Sequence, residues 1–314
     1  MGIFPAIFAD PLIFADAVRP LIRRDPVRCN VLATQLEGAV RRGTPPGSLW
    51  MVVRSGGAAP GAEAGPGRGG GAGADVVLAA MLTPPFGLWL TPVRDARPDD
   101  PADPVAERVA LALARELLRR PGGPGTALPG VGGVVSSATP FARVWRELTG
   151  RRPRVTMRTR MFELSELAEP VGVPGTARPA GPADLDLCVD WLVAFHAEAA
   201  PDQPGGGELR ARTQDRIALG HLTLWQDGGR PVSLAGTSTV VAGVARIGPV
   251  YTPPEQRGHG YGAAVTAAAT RAGFGAGARR CMLFTDLANP TSNALYPRLG
   301  YRPVGDALTY AFLP

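Results

Sequence analysis

Pro254-Glu255-Gln256-Arg257-Gly258-His259-Gly260-Tyr261-Gly262 runs straight into an alanine-rich stretch at 263–272. Three glycines at alternate positions, Gly258, Gly260 and Gly262, follow an apolar run and precede a helix-forming one. The pattern predicts a strand, a tight backbone loop and a helix start. Such a start leaves backbone N–H groups unpaired and carries the positive end of the helix dipole, so it suits an anion. Glycine lets the backbone turn and lets a phosphate approach with no Cβ in the way. A Gly-rich surface turn would use the same residues, and a lone glycine motif does not separate the two.

A second motif about thirty residues downstream separates them: Asn289-Pro290-Thr291-Ser292-Asn293-Ala294-Leu295-Tyr296-Pro297-Arg298-Leu299-Gly300-Tyr301. Together the two motifs resemble the GCN5-related N-acetyltransferases (GNAT). In that family an Arg/Gln-x-x-Gly-x-Gly/Ala loop holds the pyrophosphate of acetyl-coenzyme A. Here that loop is Arg257-Gly258-His259-Gly260-Tyr261-Gly262. The family continues with a strand, an Asn beside the cofactor, and a helix carrying Leu-Tyr-x-x-x-Gly-Phe/Tyr, matched by Leu295, Tyr296, Gly300 and Tyr301. Both motifs occur in order and at the family's spacing, with a strand expected at 280–286 between them.

The chain has 314 residues, enough for two domains of ordinary size, and 45% hydrophobic residues supply a core. A net charge of +6 raises the question of nucleic acid. The arginines that carry it are scattered, in short pairs such as Arg23-Arg24, Arg119-Arg120 and Arg279-Arg280, with no long basic run among aromatics. We therefore expect solvated faces and some attraction for an anionic cofactor, and no nucleic-acid partner. Cys29, Cys188 and Cys281 are far apart and lack Cys-x-x-Cys or Cys/His spacing, so no metal site is expected and a reducing cytoplasm is the natural compartment. The apolar N-terminus carries Asp10 and Asp16 and no basic leader, so it does not read as a signal peptide. No apolar run reaches the roughly 18 residues of a membrane span. The sequence leaves the oligomeric state open.

Hydrophobic spacing predicts helices over 14–42, with a break at Asp25-Pro26, and over 104–120, 140–149, 184–200, 208–219 and 263–275. A further helix carries Tyr296. Strands are expected at 49–54, 75–83, 86–92, 130–136, 154–164, 222–226, 231–240, 243–252, 280–286 and up to about Phe312. Residues 55–74, nearly all Gly, Ala and Pro, read as a loop or disordered insertion. The Pro/Gly-rich segment 170–182 reads as a linker.

The halves echo each other: Val144-Trp145 through Gly150 to Pro153 parallels Leu295-Tyr296 through Gly300 to Pro303, with one extra residue. The expectation is an α/β (α+β) protein of two GNAT-like acyl-CoA N-acyltransferase domains, each a mixed, mostly antiparallel central sheet flanked by helices. A degenerate domain would occupy 1–169, a linker 170–182, and a catalytic domain 183–314. The counterpart of the glycine loop in the first half, 94–103, has no glycine and holds acidic residues, Asp95, Asp99, Asp100 and Asp103, which would crowd a pyrophosphate. Trp145 stands where the second half has Tyr296.

The resemblance implies acetyl-CoA as co-substrate, no metal, and direct transfer to a primary amine of a small molecule or protein. The amides at 257–262 would hold the pyrophosphate, with His259 and Tyr261 pointing outward. Val250, Tyr251 and Thr252 would pair with the pantetheine arm as an added strand does, and splaying there would free an N–H for the developing oxyanion. Asn289 would orient the cofactor or cap the next helix. Tyr296 would be the general acid to the thiolate, and Cys281 a small core residue. The general base is open: residues 240–254 contain no carboxylate, and Glu198, Asp202, His221, His259 or a water chain would each serve. A non-catalytic acyl-CoA-binding regulator is the alternative.

Overall fold

A computed structural model describes residues 2–56, 75–97, 100–121, 123–199 and 209–314. All of the expected insertion beyond residue 56, and Asp202, lie outside the described residues. The chain divides into two compact units, Met1–Met157 with Asp306–Pro314, and Arg158–Gly305.

The first half of the chain runs β1 (Gly2–Phe8), α1 (Pro11–Arg24), α2 (Asn30–Arg42), β2 (Leu49–Gly56), β3 (Asp75–Leu82), β4 (Leu88–Leu90), α3 (Pro104–Arg119), β5 (Gly130–Val134), α4 (Val135–Thr149) and β6 (Arg152–Leu164). The second half repeats that order as β7 (Thr176–Pro179), α5 (Leu185–Ala199), α6 (Leu209–Ala218), β8 (Leu222–Asp227), β9 (Arg230–Thr237), β10 (Val244–Tyr251), α7 (Tyr261–Gly275), β11 (Arg280–Asp286), α8 (Pro290–Arg298) and β12 (Arg302–Leu313). Pairing repeats as well. β1 to β4 are antiparallel neighbours in sequence, and β4 runs parallel to β5. β7 to β10 and the parallel pair β10–β11 follow the same plan.

Each half hands over its last strand. β12 pairs antiparallel with β5, from Ala307 opposite Val134 to Ala311 opposite Gly130, so residues 306–314 belong to the first unit. β6 pairs antiparallel with β11, from Leu164 opposite Cys281 to Thr159 opposite Asp286, and so supplies the second unit from Arg158 on. The unit limits therefore differ from the sequence expectation of 1–169 and 183–314, because a backbone ladder joins whichever strand lies beside it.

Two strands went unpredicted. β1 is an apolar run with proline in it, and it is held by a full ladder to β2. β7 lies inside the expected linker, paired with β8 from Thr176 opposite Gln226 to Pro179 opposite Thr223. As an outermost strand it tolerates the proline at its end. α4 begins at Val135, earlier than the expected 140, with Pro140 inside it. The buried Phe141 and Trp145 anchor that helix despite the missing N–H.

In the second unit the sheet is covered on both faces. On one, Val265, Ala267 and Ala269 of α7 meet Ala245 and Ile247 of β10, Leu283 of β11 and Tyr296 of α8. The small residues of α7 bring its backbone close: a Cβ on Gly273 would lie 3.1 Å from Cys281 Sγ and 3.2 Å from Ala245 Cβ. On the other face Cys188 and Leu192 of α5 and Ile217 of α6 pack on Leu222, Leu224 and Leu234.

Candidate functional site

β10 pairs with β11 only from Val244 to Arg246, although both strands continue. Its register against β9 shifts between Ile247 and Val250, where Gly248 holds a φ of +138°. Pro249 supplies no N–H to a ladder. Beyond Arg246 the two parallel strands are therefore open to each other, and Val250, Tyr251 and Thr252 border that opening. Thr252 is fixed through its hydroxyl, 2.8 Å from Ser233 Oγ, and through its carbonyl, which accepts from Arg257 Nε at 3.0 Å.

A short helical turn at Pro254–Gln256 leads to the glycine loop, in which Gly258 (φ +85°) and Gly260 (φ +82°) adopt left-handed backbone. Gly260 is the N-cap of α7. Among the described residues, the amides of Gly258, His259, Gly260, Tyr261 and Gly262 donate to no protein acceptor, whereas those of Ala263 and Ala264 turn back to Gly260 O. Five consecutive donors without a backbone acceptor thus stand at the positive end of a helix, a place where the dipole favours negative charge. Gly262 lies beside the end of β10 and α8: a Cβ there would meet Thr252 Oγ1 at 3.5 Å and Leu295 Cδ1 at 3.8 Å, ordinary contact distances.

The loop's side chains are arranged differently from expectation at one position. His259 is exposed and stacks on the Tyr261 ring at 5.4 Å. Tyr261 does not point outward: it is buried, and its hydroxyl donates to Asp227 Oδ2, which raises its pKa. As the first residue of α7 its ring is drawn onto the sheet, and the β8–β9 turn supplies the acceptor. Arg257 turns toward the end of α5. Its Nη2 donates to Glu198 Oε2 at 2.7 Å and Oε1 at 3.0 Å, and its guanidinium lies 6.0 Å from the Tyr251 ring centre. Tyr251 donates its hydroxyl to the same Glu198 at 3.3 Å, and burial followed by that carboxylate raises its pKa.

Asn289 caps α8, its Oδ1 accepting from Ser292 N at 3.0 Å. Tyr296 lies one face inward, 7% exposed, against Phe162 and edge-on to Tyr301. Burial pushes its pKa up to about 12, against a smaller opposite pull from a hydrogen bond to Ser292. It is a neutral hydroxyl donor at every physiological pH. Cys281 is a core residue, its thiol pushed up to about 12 by burial and bonded to Thr270 O. Of the base candidates, Glu198 stands beside Tyr251, and His221 immediately precedes β8, its carbonyl accepting from Thr237 N. No group of metal-ligating side chains occurs among the described residues.

The equivalent place in the first unit is closed. Asp103 is the N-cap of α3, and its Oδ1 accepts from Val105 N at 2.8 Å and Ala106 N at 3.2 Å. Its Oδ2 accepts from the amide of Arg97 at 3.0 Å. Burial opposes the charge, but these amides and the Arg97 guanidinium hold the carboxyl below its ordinary range. The protein's own carboxylate thus sits where an anion would. After β4, Ser137 Oγ donates to Thr91 O at 2.8 Å and accepts from Val93 N at 3.2 Å, using the amide that an open edge would expose. Trp145 is fully buried between Phe141 and Phe312. A pocket of about 270 Å³ in this unit, lined by residues such as Leu49, Leu82, Pro85 and Phe86, holds no titratable group.

An open parallel edge, a helix start with free amides and a buried tyrosine define an acyl-transferase-like fold, and comparison with known proteins agrees. Residues 187–301 match the family described as "Acetyltransferase (GNAT) family". Among solved structures, a GCN5-related N-acetyltransferase from Kribbella flavida aligns at TM-score 0.52 and 19% identity over 91% of this chain and 95% of that one. One from Sphaerobacter thermophilus aligns at 0.56 and 18%, over 98% and 95%. A GNAT-family acetyltransferase from Colwellia psychrerythraea aligns at 0.55 and 11%, over 99% of both chains. No protein of curated function matches. Residues 187–301 thus form a domain of the GNAT family, the class of acyl-CoA-dependent N-acetyltransferases, and the fold of such proteins extends over nearly the whole chain. No helix among the described residues is long and apolar enough to cross a membrane.

Proposed function

We propose that residues 158–305 bind acetyl-CoA and transfer its acetyl group to a primary amine within a ternary complex. The observation that carries this reading is the row of unpaired amides from Gly258 to Gly262 at the head of α7, set against the Asp103-sealed head of α3. Acetyl-CoA supplies an activated acyl thioester and a multiply charged handle. The loop amides and the α7 dipole would hold its pyrophosphate, at about 1.5–3 kcal/mol for each bond to a charged group. Val250, Tyr251 and Thr252 would pair with the amide-bearing arm along the open edge of β10. A backbone N–H there would polarise the thioester carbonyl.

The amine nitrogen attacks that carbonyl carbon, forming the C–N bond as the C–S bond breaks. Tyr296 Oη donates its proton to the departing sulfur and regains one from solvent. The amine's surplus proton leaves through water, since β10 carries no carboxylate. The first half would be a duplicated, degenerate copy of the same domain with no cofactor of its own. A thiol-release screen of the purified chain over amines, amino acids, aminoglycosides and peptides tests this: amine-dependent release of free coenzyme A supports it. Tight acetyl-CoA binding without any release would make the chain an acyl-CoA-binding regulator instead.

A further inference from the structure

We infer that the segment 170–175 is a strap that fixes the geometry of the glycine loop, with Val173 and Trp225 as positioning residues for the co-substrate. The inference rests on the acetyl-transfer reading above and adds residues outside the loop that set its affinity for acetyl-CoA.

After β6 the chain is fastened to the end of α8. Ala168 N donates to Leu299 O at 3.0 Å, and a Cβ on Gly300 would lie 2.8 Å from Glu166 O. Glu169 then pairs with Arg271 in the C-terminal half of α7. Val173 follows and sits against Gly260, where an added Cβ would come within 2.9 Å of its Cγ2. From Arg271 back to Gly260 is about 16 Å along the helix. Extended residues from 169 to 173 reach about 13–14 Å, and the Arg271 side chain supplies the rest. The segment therefore runs along α7, against the helix direction, and ends on the loop. Its far end is pinned to β8. Trp225 Nε1 donates to Pro174 O at 2.8 Å. Gly175, at φ +104°, passes so close that a Cβ would lie 2.1 Å from Gln226 O and 2.8 Å from Trp225 Nε1. Two residues beyond Trp225, Asp227 accepts from the Tyr261 hydroxyl. The end of β8 thus reaches the loop twice, from Trp225 through Val173 and from Asp227 through Tyr261.

Gly258 and Gly260 carry no Cβ, and glycine backbone is the freest of any residue. The loop amides find no backbone acceptor that would hold them in place. A pyrophosphate needs those amides aimed together, so binding to an unsupported loop would first have to order it. Val173 supplies that order in advance, and preorganisation of this kind raises affinity without adding a contact to the ligand. The strap places its valines accordingly. Val173, which touches the loop, is half-buried, whereas Val171, two residues earlier, is 93% exposed.

The test titrates acetyl-CoA into the intact chain by calorimetry. Val173→Ala removes the Cγ atoms that meet the loop and should raise Kd about 5- to 30-fold, the equivalent of ordering the backbone of one residue. Trp225→Phe keeps a ring on the sheet but removes the donor to Pro174, and should shift Kd in the same direction by less. In both variants kcat at saturating co-substrate and amine should stay within about twofold, since the loop contributes binding and not chemistry. Gly260→Ala introduces the methyl that meets Val173, so the two substitutions should be coupled. The double variant should bind about threefold or more tighter than the two losses multiplied would give. A lowered melting temperature with unchanged Kd in Val173→Ala, or losses that simply multiply in the double variant, overturns the inference while leaving acetyl transfer standing. If the parent binds no acetyl-CoA, the acetyl-transfer reading fails separately. Backbone 15N order parameters of Gly258, Gly260 and Gly262 in the ligand-free chain then decide. Values of about 0.85 in the parent that fall in Val173→Ala support the strap, and low values in the parent or equal values in both overturn it.

Discussion

Alanine substitutions at Gly258, Gly260 and Gly262 should separate stability from cofactor binding. Gly258 has a φ of +85° and open space around its Cβ position, so alanine there costs only the left-handed backbone penalty, about 1–2 kcal/mol. Gly260, at φ +82°, adds a contact of 2.9 Å with Val173 Cγ2. Gly262 is helical, and its Cβ would meet neighbours at ordinary distances of 3.5 and 3.8 Å. Alanine there should stabilise the helix by about 0.5–1 kcal/mol. At about 2–4 °C per kcal/mol, Gly258→Ala and Gly260→Ala should melt lower by roughly 2–8 °C, and Gly262→Ala slightly higher. Displacing a single loop amide from a pyrophosphate costs about 1.5–3 kcal/mol, or roughly 10- to 150-fold in Kd. Calorimetric titration with acetyl-CoA should therefore show losses of that order in Gly258→Ala and Gly260→Ala. Gly262→Ala should stay within about threefold of the parent, since no amide is displaced. Unchanged acetyl-CoA affinity in Gly260→Ala would refute the assignment of the loop.

Tyr296→Phe should lower kcat by about a hundredfold or more, within the range for general-acid groups, while acetyl-CoA affinity stays within about threefold; equal losses in both would make the residue a packing element. Because the folded pKa of Tyr296 is raised from 10.0 to about 12, its contribution to stability is complete below pH 10 and falls as pH rises from there, which alkaline unfolding of the parent and Tyr296→Phe would reveal. Asp103→Ala should cost about 1–2 kcal/mol at neutral pH through loss of the α3 cap. The folded pKa of Asp103 is lowered, so this difference is present above the unfolded value of 3.8 and shrinks in acid melts as pH falls below it. Glu198→Gln breaks an ion pair whose side chains are 47–48% exposed, so stability should change by no more than about 1 kcal/mol. Acetyl-CoA binding should tighten a few-fold at low salt as Arg257 is released, an effect that fades with salt; weaker binding would instead make Glu198 a support for the cofactor loop.

Local chemistry made much of this protein readable. β11 at Arg280–Asp286 follows its sequence prediction residue for residue, because an apolar run bounded by turns has one good conformation. The glycine loop was equally plain, since two of its residues adopt positive φ and the third lies in the first turn of a helix beside Thr252 and Leu295. What escaped was set by distant partners. β7 is held by its ladder to β8, and the buried Tyr261 meets a distant acceptor, Asp227. The exchange of β6 and β12 depends on which strands lie side by side, which no local pattern records. Glu198 was recognised as a nearby carboxylate, while its bond to Arg257 required the fold.

Calorimetric titration of the intact chain with acetyl-CoA tests the central claim most directly, because the two helix starts are predicted to behave oppositely. The free amides at α7 predict one molecule bound per chain, its affinity weakened about 10- to 150-fold in Gly260→Ala and unchanged in Asp103→Ala. Two molecules per chain, or an affinity that Gly260→Ala leaves unchanged, would contradict the account.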